Sequence, residues 1–191
     1  MSRYFQYFPQ VIHSGEKLTN ITRRVKFYER ITEDPFVFLP YTLKDDMRAD
    51  QLAYHYYGDS ALVWLVYLSN NIIDPYNEWP LTSEEFYSML SLKYAEESGL
   101  TGYDVVNWCA NETITENILY YVNVDDEEIQ LSKDSFALAS SLDTDFVATD
   151  WYAYRYFDYE NDKNEAKRTI QLVDKKFAGQ IEKEFKSVMN G

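Results

Sequence analysis

Between residues 49 and 71 the apolar side chains follow two successive helical patterns. Ala49, Leu52, Ala53 and Tyr56 fall at i, i+3, i+4 and i+7, one face of a helix. Gly58 offers the left-handed conformation that ends such a helix, and Asp59 or Ser60 can cap the next one. Residues 61–68 are apolar on nearly every side, so the second helix is expected to be buried, and Asn70 and Asn71 close it. "DPYNEWP" then reads as a turn punctuated by Pro75 and Pro80. A third helix is expected from Thr82 or Ser83, with Glu85 in its first turn and Phe86, Met89 and Leu90 on its apolar face.

On either side of this hairpin the period shortens to two. In "ITRRVKF", Ile21, Arg23, Val25 and Phe27 share a face opposite Thr22, Arg24 and Lys26, a strand signal. "FVFLPY" reads as a further strand limited by Pro40, and "YTL" as one leading into the polar turn "KDDMRAD". Beyond residue 98 short strands and polar loops are expected to alternate. "ILYYVNV" and "EEIQL" suggest a hairpin across Asp125 and Asp126. "WYAYRYF" sets Trp151, Ala153 and Phe157 against Tyr152, Tyr154 and Tyr156, followed by a charged loop, "DYENDKNEA", and a paired strand, "KRTIQLV". Asp174 can cap a last helix carrying Phe177, Ile181, Phe185 and Val188; one helix over 165–190 is the alternative, weakened by Gly179. The expected fold class is α+β. Its parts are an N-terminal arm and strands (1–40), a helical-hairpin module (41–98), and a β-hairpin region with a terminal helix (99–191).

Composition narrows the function. Aromatic residues make up 17% of the chain, 18 of them Tyr, more than a core of this size can bury. Tyr combines a rigid apolar face with a polar tip, which suits protein–protein contacts or, alternatively, a sugar-binding surface. The formal charge of −14 disfavours nucleic acid and anionic membranes as partners. A single cysteine, Cys109, precludes an internal disulfide, and the N-terminus lacks the pattern of a signal peptide. The longest apolar run, 61–68, is too short to cross a bilayer. A reducing compartment such as the cytosol is therefore expected.

Reactive groups are sparse. His13 and His55 are the only histidines and lack ligand spacing, so no metal site is expected. Cys109 reads as a buried thiol, and no phosphate-cradling glycine motif occurs. Acidic pairs such as Asp45–Asp46, Glu84–Glu85 and the run 125–128 read as solvated surface rather than as opposed catalytic carboxylates or a calcium loop. Neither an enzyme nor a cofactor is indicated.

The order of "YTL…LAYHYYGDSALVWLVYLSNN" resembles a LysM module, a short β-α-α-β unit with a central helical hairpin. Together with "YFQYFP", "ITRRVKF", "LAYHYYGDSALVWLVYLSNNIIDPYNEWPLT" and "NEAKRTIQLV", it resembles the LysM-containing baseplate wedge proteins of contractile-tailed phages across essentially the whole chain. That resemblance implies a structural subunit of the virion's tail baseplate, assembled in the host cytoplasm. It also implies contacts with other wedge subunits and with neighbouring wedges around the central hub under six-fold symmetry, the sheath-initiator-like subunit among them. LysM modules otherwise bind N-acetylglucosamine chains. Here Asp45-Asp46-Met47 replaces the usual glycine-containing turn and "DPYNEWPLT" the usual ending of the second strand, which favours a fold reused for protein contact.

Three groups stand out as interface candidates. Tyr4, Phe5 and Phe8 form an aromatic arm that either folds back or docks on a neighbour. Tyr152, Tyr154 and Tyr156 either cover a second layer or meet a partner. Arg23 and Arg24 pair either with acidic groups of the chain itself or with a partner's acidic patch.

Overall fold

The computed structural model describes residues 4–22, 25–27, 31, 34 and 36–190. A 3₁₀ turn at Phe5–Tyr7 leads into an antiparallel hairpin of β1 (Gln10–His13) and β2 (Glu16–Thr19). Strand β3 (Phe38–Thr42) precedes α1 (Ala49–Tyr57), a 3₁₀ turn at Ser60–Leu62, α2 (Val63–Ser69) and the single turn α3 (Pro75–Glu78). Helices α4 (Ser83–Lys93), α5 (Ala95–Ser98) and α6 (Tyr103–Ala110) follow, then β4 (Ile118–Asn123) and β5 (Gln130–Leu131). Helix α7 (Lys133–Leu142), β6 (Trp151–Arg155), α8 (Tyr156–Ala166), β7 (Thr169–Val173) and α9 (Lys175–Asn190) complete the order, an α+β fold.

Two compact units emerge, and they do not follow chain order: residues 1–80 with 167–191 form one, and residues 81–166 the other. The second is an insertion in the sequence of the first. The boundary expected at 98/99 falls inside it, directly after α5.

In the first unit β3 pairs antiparallel with β7, Phe38 opposite Val173 and Thr42 opposite Thr169. "KRTIQLV" thus partners "FVFLPYT", not the 151–157 segment for which it was expected. The two strands expected around Pro40 are one strand; with two strands in the sheet among the described residues, Pro40 sits at an edge where its missing N–H is tolerated. The helical hairpin forms as its punctuation dictates. Gly58 adopts φ +82° and donates its N–H to the Tyr54 carbonyl at 2.8 Å, while the Asp59 carboxylate accepts the Ala61 N–H at 2.9 Å. Leu52, Ala53 and Val66 are buried with Ile170 and Leu172 of β7. Asn70 fastens the hairpin to that strand: its Nδ2 donates to the Gln171 carbonyl at 2.8 Å and its Oδ1 accepts the Gln171 N–H at 2.7 Å. Asp174 accepts the Lys176 N–H at 3.0 Å, so α9 begins where its cap residue placed it.

The lead-in differs from expectation. Its described strands are β1 and β2, joined through Ser14 and Gly15 at φ +52° and +83°, the left-handed pair that a tight hairpin favours. The segment "ITRRVKF" shows no strand in its described residues, and Arg23 and Arg24 lie outside them.

In the second unit Phe86, Leu90, Val105, Val106, Trp108 and Cys109 form the core beside an antiparallel sheet ordered β5-β4-β6. The hairpin across Asp125 and Asp126 is present, with Tyr121 opposite Leu131. The remainder is more helical than strands and loops. "DYENDKNEA" lies within α8, and Tyr156 and Phe157 open that helix instead of extending β6. Asp158 turns the chain by accepting the Arg155 N–H at 3.0 Å. The buried positions of α8 are polar, Glu160 and Asn164, so no apolar period marked it. Asn164 holds the unit's own entry point, accepting the Leu81 N–H at 2.7 Å and donating to the Leu81 carbonyl at 3.1 Å.

Candidate interaction surfaces

The aromatic arm is packed into its own unit. Phe8 is buried in a cluster with Trp64, Leu65, Ile181 and Phe185. Tyr4 stacks on Phe185 with ring centroids 5.2 Å apart, and burial raises its phenol pKa. Phe5, at 47% exposure, is the arm's open aromatic. Lys186 adds a cation over the Tyr7 ring at 5.0 Å.

The three tyrosines of 152–156 are likewise divided. Tyr154 stacks on Tyr120 at 4.9 Å across the β4–β6 ladder and donates its hydroxyl to Asp162. Tyr156 stacks on Trp108 at 5.9 Å and donates to Glu97, and burial together with that carboxylate pushes its pKa up to about 12. Tyr152 is left 41% exposed. The sequence period grouped the three because it extended β6 by two residues, Tyr156 and Phe157, that belong to α8.

The polar centre of the second unit is structural in its geometry. Glu160 accepts from Lys93 Nζ at 2.6 Å and from the Tyr94 hydroxyl at 2.8 Å on the same oxygen. Burial alone would raise the Glu160 pKa, but these donors outweigh it and hold the carboxyl below its ordinary range. Burial, and after it the same carboxylate, raises the Tyr94 phenol. Burial, with Glu97 nearby, pushes the Cys109 thiol up to about 11, which keeps it protonated and unreactive. Among the described residues, no group of three or more His, Cys, Asp or Glu is placed to hold a metal ion, and no helix is long and apolar enough to cross a membrane.

Charge is segregated between the units, which a whole-chain average concealed. Residues 81–166 carry four basic side chains against 19 acidic, a net −15; the remaining residues carry 14 basic and 13 acidic, a net +1. The first unit is electrostatically balanced and the second supplies the entire excess.

Residues 7–182 match the family described as base plate wedge protein 53. The chain belongs to that family. Among curated relatives, the baseplate wedge protein gp53 of Enterobacteria phage T4 is 26% identical over 148 residues, covering 75% of this chain and 63% of the T4 protein. This baseplate wedge chain therefore spans somewhat under two thirds of the length of the relative it matches. The match to the family takes in both units, so the acidic insertion lies within the matched span.

Proposed function

We propose that this chain is a non-catalytic structural subunit of a phage tail baseplate wedge, joining other wedge subunits and adjacent wedges through protein–protein contacts. Membership of the wedge family carries the reading. The geometry supports it: the buried Glu160 carboxylate accepts from Lys93 and Tyr94 of its own unit, and the cysteine thiol is held protonated. On this reading the first unit's β3-α1-α2-β7 arrangement is a LysM-like module whose closing strand returns only after the inserted unit. Phe5 and Tyr152 are the interface candidates left open by the fold, and Arg23 and Arg24 are proposed to meet acidic groups of a partner. Six-fold closure would hold several modest contacts by avidity, with the sheath-initiator-like subunit and the hub within reach of the assembled ring.

The test is genetic and visual. Phage carrying a stop codon early in this reading frame should yield lysates without complete tails by negative-stain electron microscopy, restored by the chain supplied in trans. Complete tails without the chain would refute the role. Saturable binding of the purified chain to peptidoglycan, lost on changing residues 45–48, would favour sugar recognition instead.

A further inference from the structure

Helix α7 buries none of its residues, which it shares with the single turn α5 but not with α4, α6 and α8 of the second unit. It is held chiefly by Phe136, whose ring stacks on Tyr121 at 3.7 Å and meets Phe146 edge-on at 5.3 Å. On another part of its surface Leu138 and Leu142, one turn apart, are 58% and 74% exposed. Two neighbouring leucines left open on one helix face are the anchor pattern by which an amphipathic element meets a partner.

The charge around that face identifies the partner's chemistry. Asp143 caps the C-terminus of α7 and Asp145 follows it, with no basic residue in the last turn. Negative groups at this end add to the helix dipole instead of opposing it. The four cations of the unit are turned elsewhere. Lys93 binds Glu160, Arg155 donates to the Glu112 carbonyl at 2.9 Å, Lys133 to the Glu116 carbonyl at 3.3 Å, and Lys163 lies 3.9 Å over the Tyr159 ring. A second copy of this chain is a poor occupant, since its own 81–166 unit repeats the −15 and its other unit carries only +1.

We propose that the Leu138–Leu142 face of α7 is a docking surface for a lysine- or arginine-rich apolar surface of another wedge subunit. The proposal rests on the structural role given above and adds to it the surface and the charge of its partner. Apolar anchors supply the contact, and the acidic surround steers and registers it.

The experiment titrates the full chain onto a wedge complex reconstituted from the phage's other wedge subunits, followed by fluorescence anisotropy from about 50 to 300 mM salt. The wild-type chain should bind with an affinity that falls at least about tenfold across that range. The double variant Leu138→Ser/Leu142→Ser should bind at least about tenfold more weakly at every salt concentration, since exposed anchors act largely independently of screening. The isosteric pair Asp143→Asn/Asp145→Asn should flatten the salt dependence. Circular dichroism confirms that each variant is folded; both pairs are surface changes. If the wild-type chain binds and both variants match it, the docking face is refuted while the structural role stands. If the wild-type chain binds no wedge complex, the structural role itself fails. Self-association of the chain that is lost in the leucine variant would give the face to a second copy and overturn the proposal.

Discussion

The ring of Tyr4 lies parallel to that of Phe185, their planes 3° apart, and joins the first residues of the described chain to its last helix. Phe185 also stacks on Trp64 of α2 at 4.8 Å, so one ring ties three elements together. Phe185→Ala should lower the unfolding free energy by ~3–5 kcal/mol, and Phe8→Ala by a similar amount, because each is a buried ring whose removal leaves a cavity in the cluster. Urea titration followed by tryptophan fluorescence measures this. A loss below about 1 kcal/mol for either would mean that the arm is only loosely seated.

Asn70 fixes the spacing between the helical hairpin and β7 through paired bonds to Gln171. Asn70→Ala removes both and should cost ~1–2 kcal/mol. Its more specific signature is local. Hydrogen exchange at the Gln171 amide should accelerate well beyond that of the amides in the 81–166 unit. Unchanged protection at Gln171 would contradict the fastening role.

The second unit should weaken in acid. Glu160 is held below its ordinary carboxylate value, so its contribution is complete above the unfolded-state value of 4.5 and is lost as pH falls through the lower folded value. Glu160→Gln should be less stable than the wild type by ~1–3 kcal/mol near neutrality and should lose part of the stability slope below about pH 4.5. Parallel slopes in the two proteins would show that another carboxylate governs the acid limit.

Cys109 should be inert in the folded chain. With its thiol pushed up to about 11 and its side chain buried, a disulfide reagent at pH 8 should react orders of magnitude more slowly with the native protein than with the urea-unfolded one. Equal rates would indicate frequent local opening of α6.

Much of the first unit was legible because its punctuation is local. Gly58, Asp59, Asn70 and Asp174 each act within a few residues, and each forms the cap or turn that its chemistry favours. What could not be read was the pairing of β3 with β7, since a two-stranded sheet closed across an inserted unit leaves no trace in periodicity. Helix α8 escaped for a different reason: its buried positions are Glu160 and Asn164, whose partners Lys93, Tyr94 and Leu81 come from distant sequence. The β1–β2 hairpin had a usable signal, Ser14-Gly15 between two short runs, but both strands are solvent-exposed and carry no apolar alternation. Of the interface candidates, Tyr4, Phe8, Tyr154 and Tyr156 find intramolecular partners, whereas the open leucines of α7 lie in a stretch for which the sequence suggested no particular element.

The central claim, that this chain works by occupying contact surface in an assembled wedge, is tested most directly by a cryo-electron microscopy map of the intact baseplate. The account predicts density for both units at the junction between wedge subunits, with the Leu138–Leu142 face covered by a neighbour rich in lysine or arginine. A complete baseplate map in which this chain has no density, or contacts no other wedge subunit, would contradict it.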